Sequence, residues 1–124
     1  MKNAINWFEI PVTDFYRAKT FYEQILDIKM HEVTMHGEQM AFFEADQSAV
    51  GGAIVKGDSC EPCTKGSKIY LNANPSIDLV IEKIKKNGGK IIDDKFKISD
   101  EIGHFASFLD TEGNKIFIHA SPQK

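Results

Sequence analysis

An internal repeat constrains the fold of this 124-residue chain more than any other feature. Asn6 to Val12 reads N-W-F-E-I-P-V, and Lys68 to Ala73 reads K-I-Y-L-N-A. Both alternate as half-buried strands do, with Phe8, Ile10 and Val12 on one face and Ile69, Leu71 and Ala73 on the matching one. Each strand runs into a helix-start signal. Asp14 can cap a helix over residues 15–26, and Ser76, after Pro75, can cap one over 77–87. Ala18, Phe21, Tyr22 and Ile25 form a one-sided stripe on the first helix, and Ile77, Val80, Ile81 and Ile84 do the same on the second.

Strand-like runs complete each copy. The first holds 29–33, 39–45 and 49–55, with turns at His36-Gly37 and at 46–48. Gly51 and Gly52 permit a bulge in the last of these. The second copy has 90–92 and 95–98, short enough to be one broken strand, then 104–109 and 115–119, with turns at 100–103 and 110–114. The expectation is an α+β fold of two βαβββ modules, at about 4–56 and 67–121, joined by a connector at about 57–66. Helices then cover one face of each sheet and leave the opposite faces free to form a cleft.

Composition narrows the function. An apolar content of 42% suits one continuous core, hence a single domain. Lys and Arg are scattered and the formal net charge is -3, which argues against nucleic acid. No run reaches the roughly 18 apolar residues of a membrane span, and Met1-Lys2-Asn3-Ala4-Ile5 does not read as a leader, so a cytoplasmic protein is expected. Cys60 and Cys63 form one Cys-x-x-Cys, readable as half a zinc site, a redox pair or two surface thiols. No second such pair exists, and Pro62, Thr64 and Gly66 read as a connector instead of a helix start, which favours surface thiols.

Three segments carry a resemblance: F-E-I-P-V-T-D with R-A-K-T-F-Y (8–14 and 17–22), I-K-K-N-G-G-K-I (84–91), and F-L-D-T-E-G-N-K-I (108–116). In this order on a matching repeat, the chain resembles the vicinal oxygen chelate superfamily of glyoxalase I, bleomycin-resistance proteins, fosfomycin-modifying enzymes and extradiol dioxygenases. The resemblance implies paired curved sheets around a cleft, a small-molecule ligand and a homodimer. In metal-dependent members four His, Gln or Glu ligands come from inward strand positions, which correspond here to Trp7, Ala53, Lys68 and Phe117. Neither aromatic ring nor methyl offers a hard cation a lone pair, and lysine would have to lose its proton first. The usual metal site is therefore expected to be absent.

If Trp7, Lys68 and Phe117 point inward, the two-residue period turns Glu9, Tyr70 and His119 inward as well. Apolar walls with a few convergent polar groups suit a small molecule. Trp7, Lys68, Tyr70 and Phe117 are the candidate binding residues, each also explicable as packing or rim. Glu9 and His119 are the candidate catalytic pair, with a rim ion pair and a solvated histidine as the plainer alternatives. Two functions compete: a metal-free binding protein, and a lyase, isomerase or dioxygenase-type enzyme. The enzyme would use Glu9 and His119, or a displaced divalent metal such as Zn, Ni, Mn or Fe.

Overall fold

The computed structural model describes residues 3–122, so Met1 and Lys2 of the N-terminal reading lie outside it. The first module runs β1 (Trp7–Pro11), α1 (Phe15–Leu26), β2 (His31–Met35), β3 (Glu38–Phe42) and β4 (Gly51–Lys56). The second runs β5 (Tyr70–Asn72), α2 (Ile77–Lys86), β6 (Lys90–Ser99), β7 (Gly103–Leu109) and β8 (Lys115–Ala120). Each forms a four-stranded sheet in which the first strand lies parallel to the last, in the orders β1-β4-β3-β2 and β5-β8-β7-β6. The two βαβββ modules of the sequence are thus present as an α+β fold.

Both helices start where their capping residues predict. The Asp14 carboxylate accepts from Arg17 N at 3.1 Å, and the Ser76 hydroxyl from Leu79 N at 3.3 Å, each such cap contributing about 1 kcal/mol. The stripes Ala18-Phe21-Tyr22-Ile25 and Ile77-Val80-Ile81-Ile84 are buried. They meet Ile10, Val12, Ile54, Leu71, Phe108 and Ile118 in one core spanning both modules. The rings of Phe21 and Phe108, 5.9 Å apart, bridge the halves.

One local expectation changes and another is met. Gly51-Gly52 makes no bulge: β1 and β4 pair in unbroken register from Trp7↔Gly51 to Pro11↔Val55. The glycines make room for rings, since a methyl at Gly51 would sit 3.0 Å from the Trp7 indole and one at Gly52 would overlap the Phe8 ring. The two short runs after α2 are a single strand, β6, whose pairing with β7 shifts register around Asp93. Ser107 holds that irregularity, its hydroxyl accepting from Asp93 N at 3.1 Å and donating to the Asp93 carboxylate at 2.5 Å. His104, in the run 104–109 expected as a strand, lies in β7 opposite Ala120.

The β7–β8 turn ties the modules together. Glu112 has a fully buried side chain, and its Oε1 accepts from Thr13 N, the Thr13 hydroxyl and Asp14 N, while Oε2 meets Arg17 Nε at 2.7 Å. Burial alone would raise its pKa. The hydrogen bonds from Arg17, Asp14, Thr111 and Thr13 outweigh that and lower it from 4.5 to about 2.

The unfolded chain therefore takes up this proton first as pH falls. Stability from ionised Glu112 is complete above about pH 4.5 and is lost towards pH 2. Urea unfolding of Glu112→Gln at neutral pH should show a loss of roughly 1.5–3 kcal/mol, and the gap to the parent protein should narrow between those two pH values. Gly52→Ala should cost roughly 1–3 kcal/mol through overpacking against Phe8, measured in the same way.

Candidate functional site

Strand alternation sends one set of side chains to the helices and the other to the inner faces of the sheets. On the first sheet the inner set includes Trp7, Glu9, Ala53, Met40 and Phe42. Trp7 is 44% exposed, meets the Phe42 ring edge-on at 5.3 Å and donates its indole N–H to Glu9 Oε2 at 3.2 Å. Ala53 does not face open space: it is fully buried with Met40 and Val55 in a small second cluster against which Phe42 and Cys60 pack. The connector folds back over this part of the face.

Both cysteines are free thiols. Burial, then the Glu38 carboxylate at 3.7 Å, pushes the Cys60 thiol up in pKa, the reverse of what a redox nucleophile needs. Cys63 donates its backbone N–H to Asn114 Oδ1 at 3.1 Å, so its place in the connector is structural.

The inner face of the second sheet is open and aromatic. Tyr70 and Phe117 are register partners with tilted rings 4.8 Å apart, and Phe105 meets Tyr70 at 6.3 Å and Phe96 at 5.4 Å. Tyr70 and Phe96 remain 48% and 59% exposed. The ammonium groups of Lys68 and Lys115 each stand 5.3 Å from the centre of the Phe117 ring. Lys115 also pairs with Asp93 at 3.4 Å. The Ser107 hydroxyl, opposed by desolvation and aided by the charges of Lys115 and Lys68, holds the Asp93 carboxyl below its usual range.

Two cavities of about 430 and 440 Å³ adjoin here. The first lies between β1, the connector and β8 and includes Glu9 and Lys65. The second lies over the aromatic face and includes Tyr70, Asp93, Phe96 and Phe105. Lys68, Lys115 and Phe117 belong to both. Glu9, Lys68, Tyr70 and Phe117 are thus brought to one connected space. Trp7 touches it only through Glu9.

His119 lines neither cavity. Its Nε2 lies 2.7 Å from the Ile102 carbonyl, which can only accept, so Nε2 carries the hydrogen and the ring is turned to the β6–β7 turn. Of the proposed acid–base pair, Glu9 lines the first cavity and His119 is engaged with the Ile102 carbonyl. Phe96, Phe105, Lys115 and Asp93 are additions to the sequence-derived set. Phe105 sits in a run apolar on both faces, and Phe96 in a stretch dominated by charge, so alternation did not single them out.

Donor chemistry bears on a metal. The four inward positions that the resemblance assigns to ligands hold Trp7, Ala53, Lys68 and Phe117, and Ala53 is covered. Among the described residues, no group of three or more His, Cys, Asp or Glu side chains stands together as a metal site would require. These residues do not fit the metal.

Comparisons with known proteins agree with the architecture. A glyoxylase-like domain-containing protein from Didymella fabae is 32% identical over 127 residues, covering 100% of this chain and 98% of that protein. Among solved structures, the fosfomycin resistance protein FosX from Listeria monocytogenes superposes with a TM-score of 0.67 at 18% identity, over 100% of this chain and 95% of that one. A glyoxalase I variant from Zea mays gives 0.74 at 16% identity, over 96% of this chain and 46% of that one. A glyoxalase/bleomycin resistance protein from Albidiferax ferrireducens gives 0.70 at 20%, over 97% and 100%. The sequence model of the Glyoxalase/Bleomycin resistance protein/Dioxygenase superfamily matches residues 4–118, and with this fold and this relative the chain belongs to that superfamily.

Proposed function

We propose that this protein binds a small molecule in the two connected cavities beside Phe117, without the divalent metal of its metal-dependent relatives. The observation that carries this reading is the side-chain chemistry at the four inward positions, Trp7, Ala53, Lys68 and Phe117. A FosX structure holds Mn(II) together with a dihydroxypropylphosphonic acid. Here two ammonium groups and a phenyl ring stand at the centre instead. The cavity sizes fall within the usual range for small-molecule sites, and exposed Tyr70 and Phe96 leave ring faces for a ligand to cover.

No helix among the described residues is long and apolar enough to cross a membrane. We further propose a cytoplasmic protein and a homodimer, the latter being the assembly that the family resemblance suggests. An enzyme built on Glu9 and His119 draws no support from their separation into different surroundings.

Metal analysis tests the reading directly. Protein purified without chelator, then incubated with Zn, Ni, Mn or Fe(II) and desalted, should retain far less than one ion per chain. Retention of about one ion per chain would overturn it.

A further inference from the structure

The two cavities differ in character, and the difference specifies a ligand. The walls of the first carry three ammonium groups, Lys65, Lys68 and Lys115, against one carboxylate, Glu9. The second has rings on its walls: Tyr70, Phe96, Phe105 and Phe117. Where they join, Lys68 and Lys115 converge on Phe117. Lys115 is already paired with Asp93, whereas Lys68 makes no ion pair among the described residues. Glu9, Asp93 and Asp94 border the two cavities, so their carboxylates equal the three ammonium groups in number, and what sets the junction apart is Lys68, a cation beside Phe117 that none of them pairs.

We infer that the ligand is a small aromatic carboxylate, its ring laid against Tyr70, Phe96 and Phe105 and its carboxylate held by Lys68 and Lys115 beside Phe117. This rests on the cleft being a small-molecule site and adds the class of molecule. A monoanion suits the single unpaired ammonium at the junction, Lys68, better than a doubly charged phosphate does. The aromatic faces are offered edge-on and tilted to one another, with Phe96 and Phe105 at 63°, an arrangement that can take a planar ring by stacking on one and edge contact with the next. Charge-assisted contact to an ammonium on a partly dry wall supplies the orientation.

The test is protein-observed NMR titration with three probes of one size: 2-naphthoate, the neutral 2-naphthamide and the saturated decalin-2-carboxylate. Naphthoate should shift amides of β5, β7 and β8, with a dissociation constant below about 1 mM. The amide and the saturated acid should each bind at least about tenfold more weakly. Lys68→Met should weaken naphthoate about tenfold. Lys68→Glu should abolish its binding while leaving the spectrum of a folded protein. Lys68 is exposed, so neither variant disturbs the core.

If the amide binds within about twofold of naphthoate, or Lys68→Met changes nothing, the carboxylate assignment falls and the small-molecule cleft survives. Equal binding of the decalin acid overturns the aromatic part in the same way. If no probe shifts the second sheet, the inference falls. The cleft reading falls with it only if a mixed panel of neutral and cationic fragments also leaves those amides unmoved.

Discussion

Asp110 is 5% exposed, and each of its carboxylate oxygens accepts two hydrogens. Oδ1 takes the backbone N–H groups of Glu112 and Asn114, both at 2.9 Å. Oδ2 takes the Tyr22 hydroxyl at 2.6 Å and the Asn114 side-chain amide at 3.0 Å. The other amide hydrogen of Asn114 goes to the Pro11 carbonyl at 2.7 Å, and its oxygen accepts from Cys63 N. One turn thereby joins α1, the end of β1, the connector and the entry to β8. A buried charge is tolerable only when its lone pairs are filled, and no buried side-chain polar atom is left without a partner among the described residues. Burial and the Asp110 carboxylate together hold the Tyr22 phenol well above its ordinary pKa, in keeping with its place as a donor to Asp110.

The position of the cavities depends on that turn. Lys115 and Phe117 leave it on β8, Lys68 approaches along the connector, and Glu9 lies on the strand whose last residue, Pro11, the Asn114 amide holds. Glu112 adds a second tie from the same turn to the start of α1. A small rotation of one module against the other would part Glu9 from Lys68 without changing either sheet. The two sheets nevertheless end up unequal. Cys60 closes the middle of the first inner face over Ala53, while the second keeps Tyr70 and Phe96 exposed. A duplicated fold has become one covered half and one receptive half.

Much of this was legible in the residues. Alternation in N-W-F-E-I-P-V, the two apolar stripes and the caps Asp14 and Ser76 have local causes, and the elements stand within a residue or two of where those signals put them. The family resemblance placed Lys68 and Phe117 on the inner faces, and the two-residue period then carried Glu9 and Tyr70 there with them. Alternation failed where both faces of a strand are apolar, as around Phe105. For His119 the period gives the face, that of its register partner Phe105, but not the Ile102 carbonyl that the ring meets. Gly51-Gly52 was misread for a related reason: its meaning lies in the Trp7 and Phe8 rings of a neighbouring strand far away in sequence.

The sequence by itself determined the duplication and the fold class, and the family resemblance marked Trp7, Ala53, Lys68 and Phe117 as the residues standing where metal-dependent members carry ligands. The first two are matters of residue type and short-range period. Only the tertiary structure decided which inward residues share a space. It set two lysines over one phenyl ring, covered Ala53 with the connector, and engaged His119 with the Ile102 carbonyl. Those outcomes depend on contacts between segments far apart in the chain, for which a two-residue period carries no information.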